Sequence, residues 1–270
     1  MLISIVIPTY NRAHYLLECV NSILKQSHTE FEVLIISDGS TDNSKEEIAK
    51  LNDRRIKFIE LDRNYGYPAK ARNEGIKLSK GDFIAFCDDD DLWNEDKLKK
   101  QIEVINRGYN FIFSGYKFLD KSKGIFYEFY LNYIVRLIIN VMPSKLSYFL
   151  LSLTSPIVNS SVIIQKSLIS KIMFNESISF RASEDYQLWI HIYDTSKPFY
   201  IIEELVIYRI HENNISNNFI ANLNRCLLVF KNFSPKNVNQ RLFKILGVFF
   251  YSLRIFSKKQ FTFKLVKLKK

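Results

Sequence analysis

Acidic residues stop at Glu212: residues 213–270 hold twelve lysines and arginines and no aspartate or glutamate. The formal charge of +10 therefore belongs to that end, and residues 1–212 carry a net −2, ten less twelve. A slightly acidic body argues against nucleic-acid binding through general basicity. Cysteine is scarce as well. Cys19, Cys87 and Cys226 are odd in number, far apart and without zinc-ligand spacing. This excludes a disulfide framework and fits a reducing compartment. Nor is there a membrane-spanning run, which needs ~20 largely uninterrupted apolar residues. The longest apolar stretch, Leu131–Leu153, is interrupted by Asn132, Arg136, Asn140, Pro143 and Lys145. The N-terminus has no basic n-region and Pro8 cuts its apolar run short, so it reads as a strand and not a signal peptide. No internal repeat or low-complexity linker is visible.

What is present is enough for a full core: 270 residues, 47% apolar and 24% charged. Three short apolar runs, Ile3–Ile7, Val33–Ile36 and Phe83–Phe86, have the β-branched and aromatic content of strands buried on both faces. Ile56–Glu60 and Val162–Gln165 read as further strands. Helical patterns lie between them. Leu16, Val20, Ile23 and Leu24 share a face from near Ala13, and Thr41, Asp42 and Asn43 offer caps for a shorter helix. Asn94 is expected to cap a helix with Glu95 and Asp96 in its first turn, burying Leu98, Ile102 and Ile105. Glu184–Tyr193 reads as a helix too. The alternation predicts an α/β fold with a mostly parallel central sheet flanked by helices, and ligands beyond the carboxyl ends of its strands. The expected division is a catalytic unit over 1–215, with halves 1–110 and 111–215, and a basic amphipathic helical tail over 216–270.

Each early strand ends in polar groups: Pro8, Thr9, Tyr10, Asn11 and Arg12; then Ser37, Asp38, Gly39 and Ser40; then Asp88, Asp89, Asp90 and Asp91. Four consecutive carboxylates repel one another, and a hard divalent cation with a diphosphate resolves that repulsion. The metal reading is favoured for Asp88 and Asp90, whereas Asp91 is accounted for by a helix dipole. The segment Asn64–Asn73 carries Gly66, Lys70 and Arg72. It fits phosphate contact or a surface turn equally well. Asp38 has the chemistry to accept from a nucleobase or ribose, or to cap a turn. The acidic pair Glu184 and Asp185 at a helix start reads first as capping, and His211 first as a surface histidine.

In combination these segments resemble family 2 of the inverting glycosyltransferases, which have the GT-A fold. The resemblance runs in order from Ser4-Ile5-Val6-Ile7-Pro8-Thr9-Tyr10-Asn11-Arg12 through Asp38-Gly39-Ser40-Thr41-Asp42 and Ala71-Arg72-Asn73. It continues through Asp88-Asp89-Asp90-Asp91 with Trp93, Lys97 and Leu98, then Glu184-Asp185 before Leu188-Trp189, and ends at Tyr208-Arg209-Ile210-His211. It implies that Pro8 to Arg12 and Asp38 hold the nucleoside, usually uridine, with Arg72 supporting the pocket. Asp88 would lie near ribose and metal with Asp89 beside it at the donor, Asp90 would be the principal ligand of Mn²⁺ or Mg²⁺, and His211 would complete the metal shell. Asp185 would be the general base and Glu184 would orient it or the acceptor. Cys87 stands where leucine is more usual, a core change. Residues 111–180 match no motif, and 216–270 fall outside the resemblance.

The expected reaction is inverting transfer from a nucleotide-diphosphate sugar, a UDP-sugar, to a saccharide or lipid-linked saccharide. The expected setting is bacterial surface-polysaccharide (O-antigen or capsule) synthesis, with the enzyme cytoplasmic and peripheral on the inner membrane. A sugar-phosphate nucleotidyltransferase is the rival enzyme, but its Gly-rich basic loop is missing after the first strand. Nucleic-acid binding through the tail is the non-enzymatic rival. In the tail, Leu242, Ile245, Leu246, Phe249, Leu253 and Phe256 share a helical stripe, followed by lysines at 258, 259, 264, 267, 269 and 270. Such a stripe with flanking cations is suited to an anionic membrane surface, each lysine near the leaflet contributing about 1 kcal/mol. The alternative is that the stripe packs on the catalytic unit.

Overall fold

A computed structural model describes residues 1–119, 157–193, 195–211, 219–235, 240–242 and 244–252, with the side chains of 219–222 left aside. The apolar stretch Leu131–Leu153 and the lysines from 258 onward lie outside the described residues.

Every residue of β1 (Ile3–Thr9) and β2 (Phe31–Ser37) is buried, which is why these segments are continuously apolar and not alternating. The pleat still sorts them. Val6, Leu34 and Ile36 face one core layer with Phe86 and Trp189, while Ile5, Ile7, Val33 and Ile35 face the other with Leu98. Helix α1 (Ala13–Leu24) covers the second layer with Leu16, Cys19, Val20 and Ile23. Helix α2 (Ser44–Ala49) follows β2, and β3 (Ile56–Glu60) precedes α3 (Pro68–Leu78). Helix α3 lies so close to β1 that a Cβ on Gly75 would sit 2.3 Å from a methyl of Val6.

The remaining strands are β4 (Phe83–Phe86), β5 (Leu92–Trp93), β6 (Phe111–Phe118), β7 (Ile163–Gln165) and β8 (Pro198–Tyr208). Together the eight strands form one sheet in the order β3-β2-β1-β4-β7-β6-β8-β5. Four pairings are parallel (β1 with β2 and β4, β2 with β3, β6 with β8), and three are antiparallel because β7 and β5 run against their neighbours. The parallel expectation thus describes the first half of the sheet, and three-residue β7 joins that half to β6 and β8. Because β2 and β4 lie on opposite sides of β1, a crevice opens beyond the carboxyl ends of these strands.

Helix α4 (Lys97–Ile105) begins later than the sequence predicts. Leu92 and Trp93 are drawn into pairing with β8, so Asn94 caps a turn, accepting from the Asp96 N–H at 3.1 Å, before the helix starts. Its buried face is Leu98, Gln101, Val104 and Ile105, with Ile102 only partly covered. Helix α5 (Glu184–Tyr193) has the predicted bounds. Helix α6 (Phe219–Asn232) packs on α5, with Val229 and Phe230 buried in the first core layer. Residues 240–242 and 244–252 are also helical, and Tyr251 stacks on Phe230. Leu242, Ile245 and Phe249 of the tail stripe are 56%, 64% and 61% exposed, so this part of the stripe is not what packs on the domain.

Candidate active site

The loops after β1 and β2 brace each other. Asn11, with φ of 50°, accepts the Thr41 N–H at 2.7 Å on its side-chain oxygen and donates its own N–H to Ser40. Asp42 accepts the Ala13 N–H at 2.9 Å, closing the same junction. Asp38, buried at the end of β2, uses both carboxylate oxygens to accept the N–H groups of Tyr65 (2.9 Å) and Gly66 (3.0 Å). This carries the Asn64–Tyr67 loop over the crevice. The approach is so close that a Cβ at Gly39, where φ is +71°, would lie 2.8 Å from the Asn64 nitrogen.

The four aspartates after β4 diverge in their surroundings. Asp88, half-buried, accepts from Arg72 at 2.7 Å and from the Asn159 amide at 3.1 Å. Asp89 is buried and accepts from Thr9 at 2.8 Å and Arg12 at 2.9 Å. Asp90 takes the same Arg12 nitrogen at 2.8 Å and meets His211 Nε2 at 2.9 Å on one oxygen. Asp91 is wholly buried and accepts from Ser160 Oγ at 2.5 Å and the Arg209 N–H at 3.2 Å. The helix-dipole account of Asp91 is therefore corrected: α4 starts six residues later, and Asp91 instead clamps the Asn159–Ser161 turn and the end of β8. Burial, reinforced by the charge of Asp90, raises the Asp89 carboxyl to about 7 and lifts Asp91 well above its usual range.

Arg72, buried on α3, ties this cluster to the acidic pair. Its two terminal nitrogens reach Asp88 and Glu184, each at 2.7 Å, and its guanidinium carbon lies 5.3 Å from the Phe174 ring centroid. Burial disfavours its charge, but Asp88, Glu184 and Asp185 more than compensate and hold it above the ordinary arginine value. Glu184, buried, also accepts the Ser183 N–H. Half-buried Asp185 is raised to about 7, first by desolvation and then by Glu184, with Arg72 opposing. Before the pair, Ala182 holds φ of +61°, a strained value for a residue with a Cβ.

One cavity of about 470 Å³ brings these groups together. It is lined on the first-loop side by Pro8, Thr9, Tyr10 and Arg12, on the β2 side by Asp38, and centrally by Arg72, Asp88, Asp89 and Asp90. Arg181, Ala182, Glu184 and Asp185 complete the lining. Of the predicted residues, Asn11 serves as a loop brace outside the lining, and His211 stands behind Asp90, stacked on Tyr15 with ring centroids 5.1 Å apart. Among the described residues no three acidic, histidine or cysteine side chains converge as a complete metal cage. Sequence reasoning missed Asn159, Ser160 and Arg209. Small polar residues in an irregular segment give no periodicity, and only the contact with Asp88 and Asp91 reveals them.

A layered α/β sheet with a carboxylate-rich crevice at the strand reversal, facing a second acidic pair, is the GT-A type of transferase fold. The chain belongs to glycosyltransferase family 2: the model for "Glycosyl transferase family 2" matches residues 4–157. The UDP-Glc:alpha-D-GlcNAc-diphosphoundecaprenol beta-1,3-glucosyltransferase WfgD of Escherichia coli is 30% identical over 227 residues, covering 83% of each chain. An uncharacterized glycosyltransferase of Rickettsia conorii is 38% identical over 77% of this chain, which spans only 33% of that relative's length. Among solved structures, TarS 1-349 of S. aureus in complex with UDP-GlcNAc has a TM-score of 0.71 at 22% identity, covering 95% of this chain and 73% of its own. The mannosyltransferase PcManGT of Pyrobaculum calidifontis, in complex with GDP-Man and Mn²⁺, has a TM-score of 0.68 at 13% identity, covering 92% and 69%. These two likenesses bear on the fold. Family membership decides against the nucleotidyltransferase reading, and the chain is a glycosyltransferase.

Proposed function

We propose that the chain moves a sugar from a UDP-sugar to an acceptor hydroxyl with inversion at the anomeric carbon. One observation carries this reading: within a single cavity, Arg72 links Asp88 of the aspartate cluster to Glu184 beside Asp185. On this reading Pro8, Thr9, Tyr10, Arg12 and Asp38 hold the nucleoside, with Asn11 bracing their loop. The names of WfgD and of the TarS complex support a UDP-linked donor.

The residues fit a divalent ion, Mg²⁺ or Mn²⁺, held by Asp88, Asp90 and His211. Such ions take one or two carboxylates and complete their shell with substrate phosphates, so a full protein cage is not required. Asp88 and Asp90 line the cavity together, and the Asp90 oxygen that accepts from Arg12 and meets His211 would exchange those partners for the ion. The chemistry the ion supplies is neutralisation of charge on the departing diphosphate. The Mn²⁺ complex of PcManGT supports the choice of metal class.

Asp185 takes the proton of the acceptor hydroxyl. The acceptor oxygen bonds to the anomeric carbon from the face opposite the diphosphate, the carbon–oxygen bond to the donor breaks, and UDP leaves. A carboxyl raised to about 7 is well matched to a base working near neutrality. Glu184 and Arg72 keep it in place and set its charge.

The acceptor on this reading is a lipid-linked saccharide of a bacterial surface polysaccharide, O-antigen or capsule, reached from the cytoplasmic face of the inner membrane. The WfgD name supports such an acceptor. Peripheral attachment is supported by exposed Leu242, Ile245 and Phe249 beside a chain end rich in cations. The test is a panel of nucleotide sugars with a polyprenyl-diphosphate-linked GlcNAc acceptor, with and without Mn²⁺, and product configuration read by NMR. Inverted product from a UDP-sugar is expected. Transfer only from other nucleotides, or retained configuration, overturns the reading.

A further inference from the structure

Asp88 is gripped on one side only. Its Oδ1 accepts from Arg72 at 2.7 Å and from the Asn159 amide at 3.1 Å, while Oδ2 has no hydrogen-bond partner among the described residues. Its backbone N–H donates to Ser160 Oγ at 2.9 Å, and the same hydroxyl donates to Asp91 at 2.5 Å. Asn159 and Ser160 are both buried, and neither lines the cavity that Asp88 lines. The Asn159 side chain bonds to Asp88 and to nothing else among the described residues. Its own carbonyl oxygen is buried without a partner there, and turning the amide over would set that oxygen against the carboxylate. The charge of Asp88 therefore decides which way the amide faces and leaves an acceptor unpaired.

The turn that carries these two residues is anchored from behind. Trp93 of β5 donates its indole N–H to the Ser160 carbonyl at 3.0 Å, and Gln101 of α4 donates to the Ser161 carbonyl at 2.8 Å. Lys97, fully buried, donates to the Gln101 side-chain oxygen at 2.8 Å and so fixes the orientation of that amide. The backbone adds a bond from the Val162 N–H to the Asn159 carbonyl at 3.0 Å. None of these bonds uses the side chain of Asn159, so the turn keeps its place without it. We infer that Asn159 and Ser160 are positioning residues for Asp88. They hold its Oδ1 and its backbone, and Oδ2 is the oxygen left for the divalent ion. Partners of this kind, one bond behind a ligand, raise metal affinity by fixing the ligand's orientation. This role deepens the proposed reading of the same site and rests on it for the ion.

The test is the gain in UDP affinity that Mn²⁺ confers, and it needs no turnover. UDP is titrated into the full chain by calorimetry, once in chelator and once at a fixed Mn²⁺ concentration. Asn159→Ala should cut the gain about tenfold, the lower end of what such a partner is worth, while UDP affinity in chelator stays within about threefold of the parent chain. Ser160→Ala removes a single oxygen and disturbs the packing least, and it should cut the gain about fivefold with the same metal-free affinity. An unchanged gain in either variant overturns the role of that residue. An equal loss of UDP affinity with and without Mn²⁺, which is what damage to the fold produces, overturns it too. Failure of the metal reading shows in the parent chain instead, as a UDP affinity that Mn²⁺ leaves unchanged, and it takes this role with it.

Discussion

Replacing Asp185 with asparagine should stabilise the protein while abolishing transfer. The side chain is nearly isosteric, and its oxygen can still accept the Tyr186 N–H that Asp185 accepts at 2.7 Å. What disappears is a charge beside Glu184 at a desolvated site. The carboxyl moves from its ordinary value of 3.8 to about 7 in the folded chain. A raised carboxyl binds its proton more tightly folded than unfolded, so its contribution to stability falls as pH rises between these two values. Three units correspond to ~4 kcal/mol at most. Discounted for partial exposure, the penalty at pH 8 is on the order of 1–3 kcal/mol. Asparagine never ionises and escapes it. Urea unfolding at pH 8 should favour Asp185→Asn by that amount, with Tm higher by on the order of 5 °C. At pH 4.5 the advantage should shrink to roughly a quarter, because the unfolded carboxyl, with its value of 3.8, is then only just past its own titration and gains little by ionising. UDP affinity should stay within a few-fold, since a base acts on the acceptor. An advantage equal at both pH values, or absent at pH 8, would refute the raised carboxyl. A collapse of UDP affinity would move Asp185 out of the base role.

Asp90→Asn should abolish transfer and the Mn²⁺-dependent part of donor binding with the circular dichroism spectrum unchanged, since asparagine is nearly isosteric and keeps a carbonyl oxygen for Arg12; activity surviving in chelator would defeat this assignment. Native-state titration with a thiol reagent should modify Cys226 alone. Cys19 and Cys87 are buried with sulfurs 3.5 Å apart, and burial pushes the Cys87 thiol well up; two or more fast-reacting thiols would contradict the packing. A Leu242→Ser, Ile245→Ser, Phe249→Ser triple variant should bind anionic vesicles at least tenfold more weakly than the parent chain, with UDP affinity unchanged, and equal sedimentation would remove the membrane reading. Point variants serve better than truncation near residue 217, because α6 supplies Val229 and Phe230 to the core.

Where periodicity and composition carry a signal, sequence and structure agree closely. Ile56–Glu60 and Glu184–Tyr193 coincide with β3 and α5, and the three polar strand ends converge on one crevice. Where tertiary contacts decide, the sequence is mute or misleading. A lysine at a helix start looks solvent-facing, yet Lys97 is fully buried 3.7 Å over the Trp93 ring, with its ammonium donating to Gln101. Burial draws it down to about 7. Asp91 looked like a dipole partner because nothing local reveals that Ser160, 69 residues on, turns its hydroxyl toward it. The role of Asp38 as a loop anchor was equally hidden, since both N–H groups it accepts belong to a distant turn.

The Arg72 bridge also limits how this enzyme can be recombined. Arg72 sits in the first 110 residues and Glu184 in the stretch that follows, so a chimera that exchanges residues 111–215 inherits one side of a buried ion pair. A graft without an acid at the position of Glu184 leaves a guanidinium in the interior with Asp88 as its remaining close counter-charge. Losing one partner of such a pair costs about 3–5 kcal/mol. Grafts chosen for acceptor specificity alone would therefore fail in the fold before their chemistry could be assayed. Retaining that single glutamate is the first requirement for exchanging this stretch.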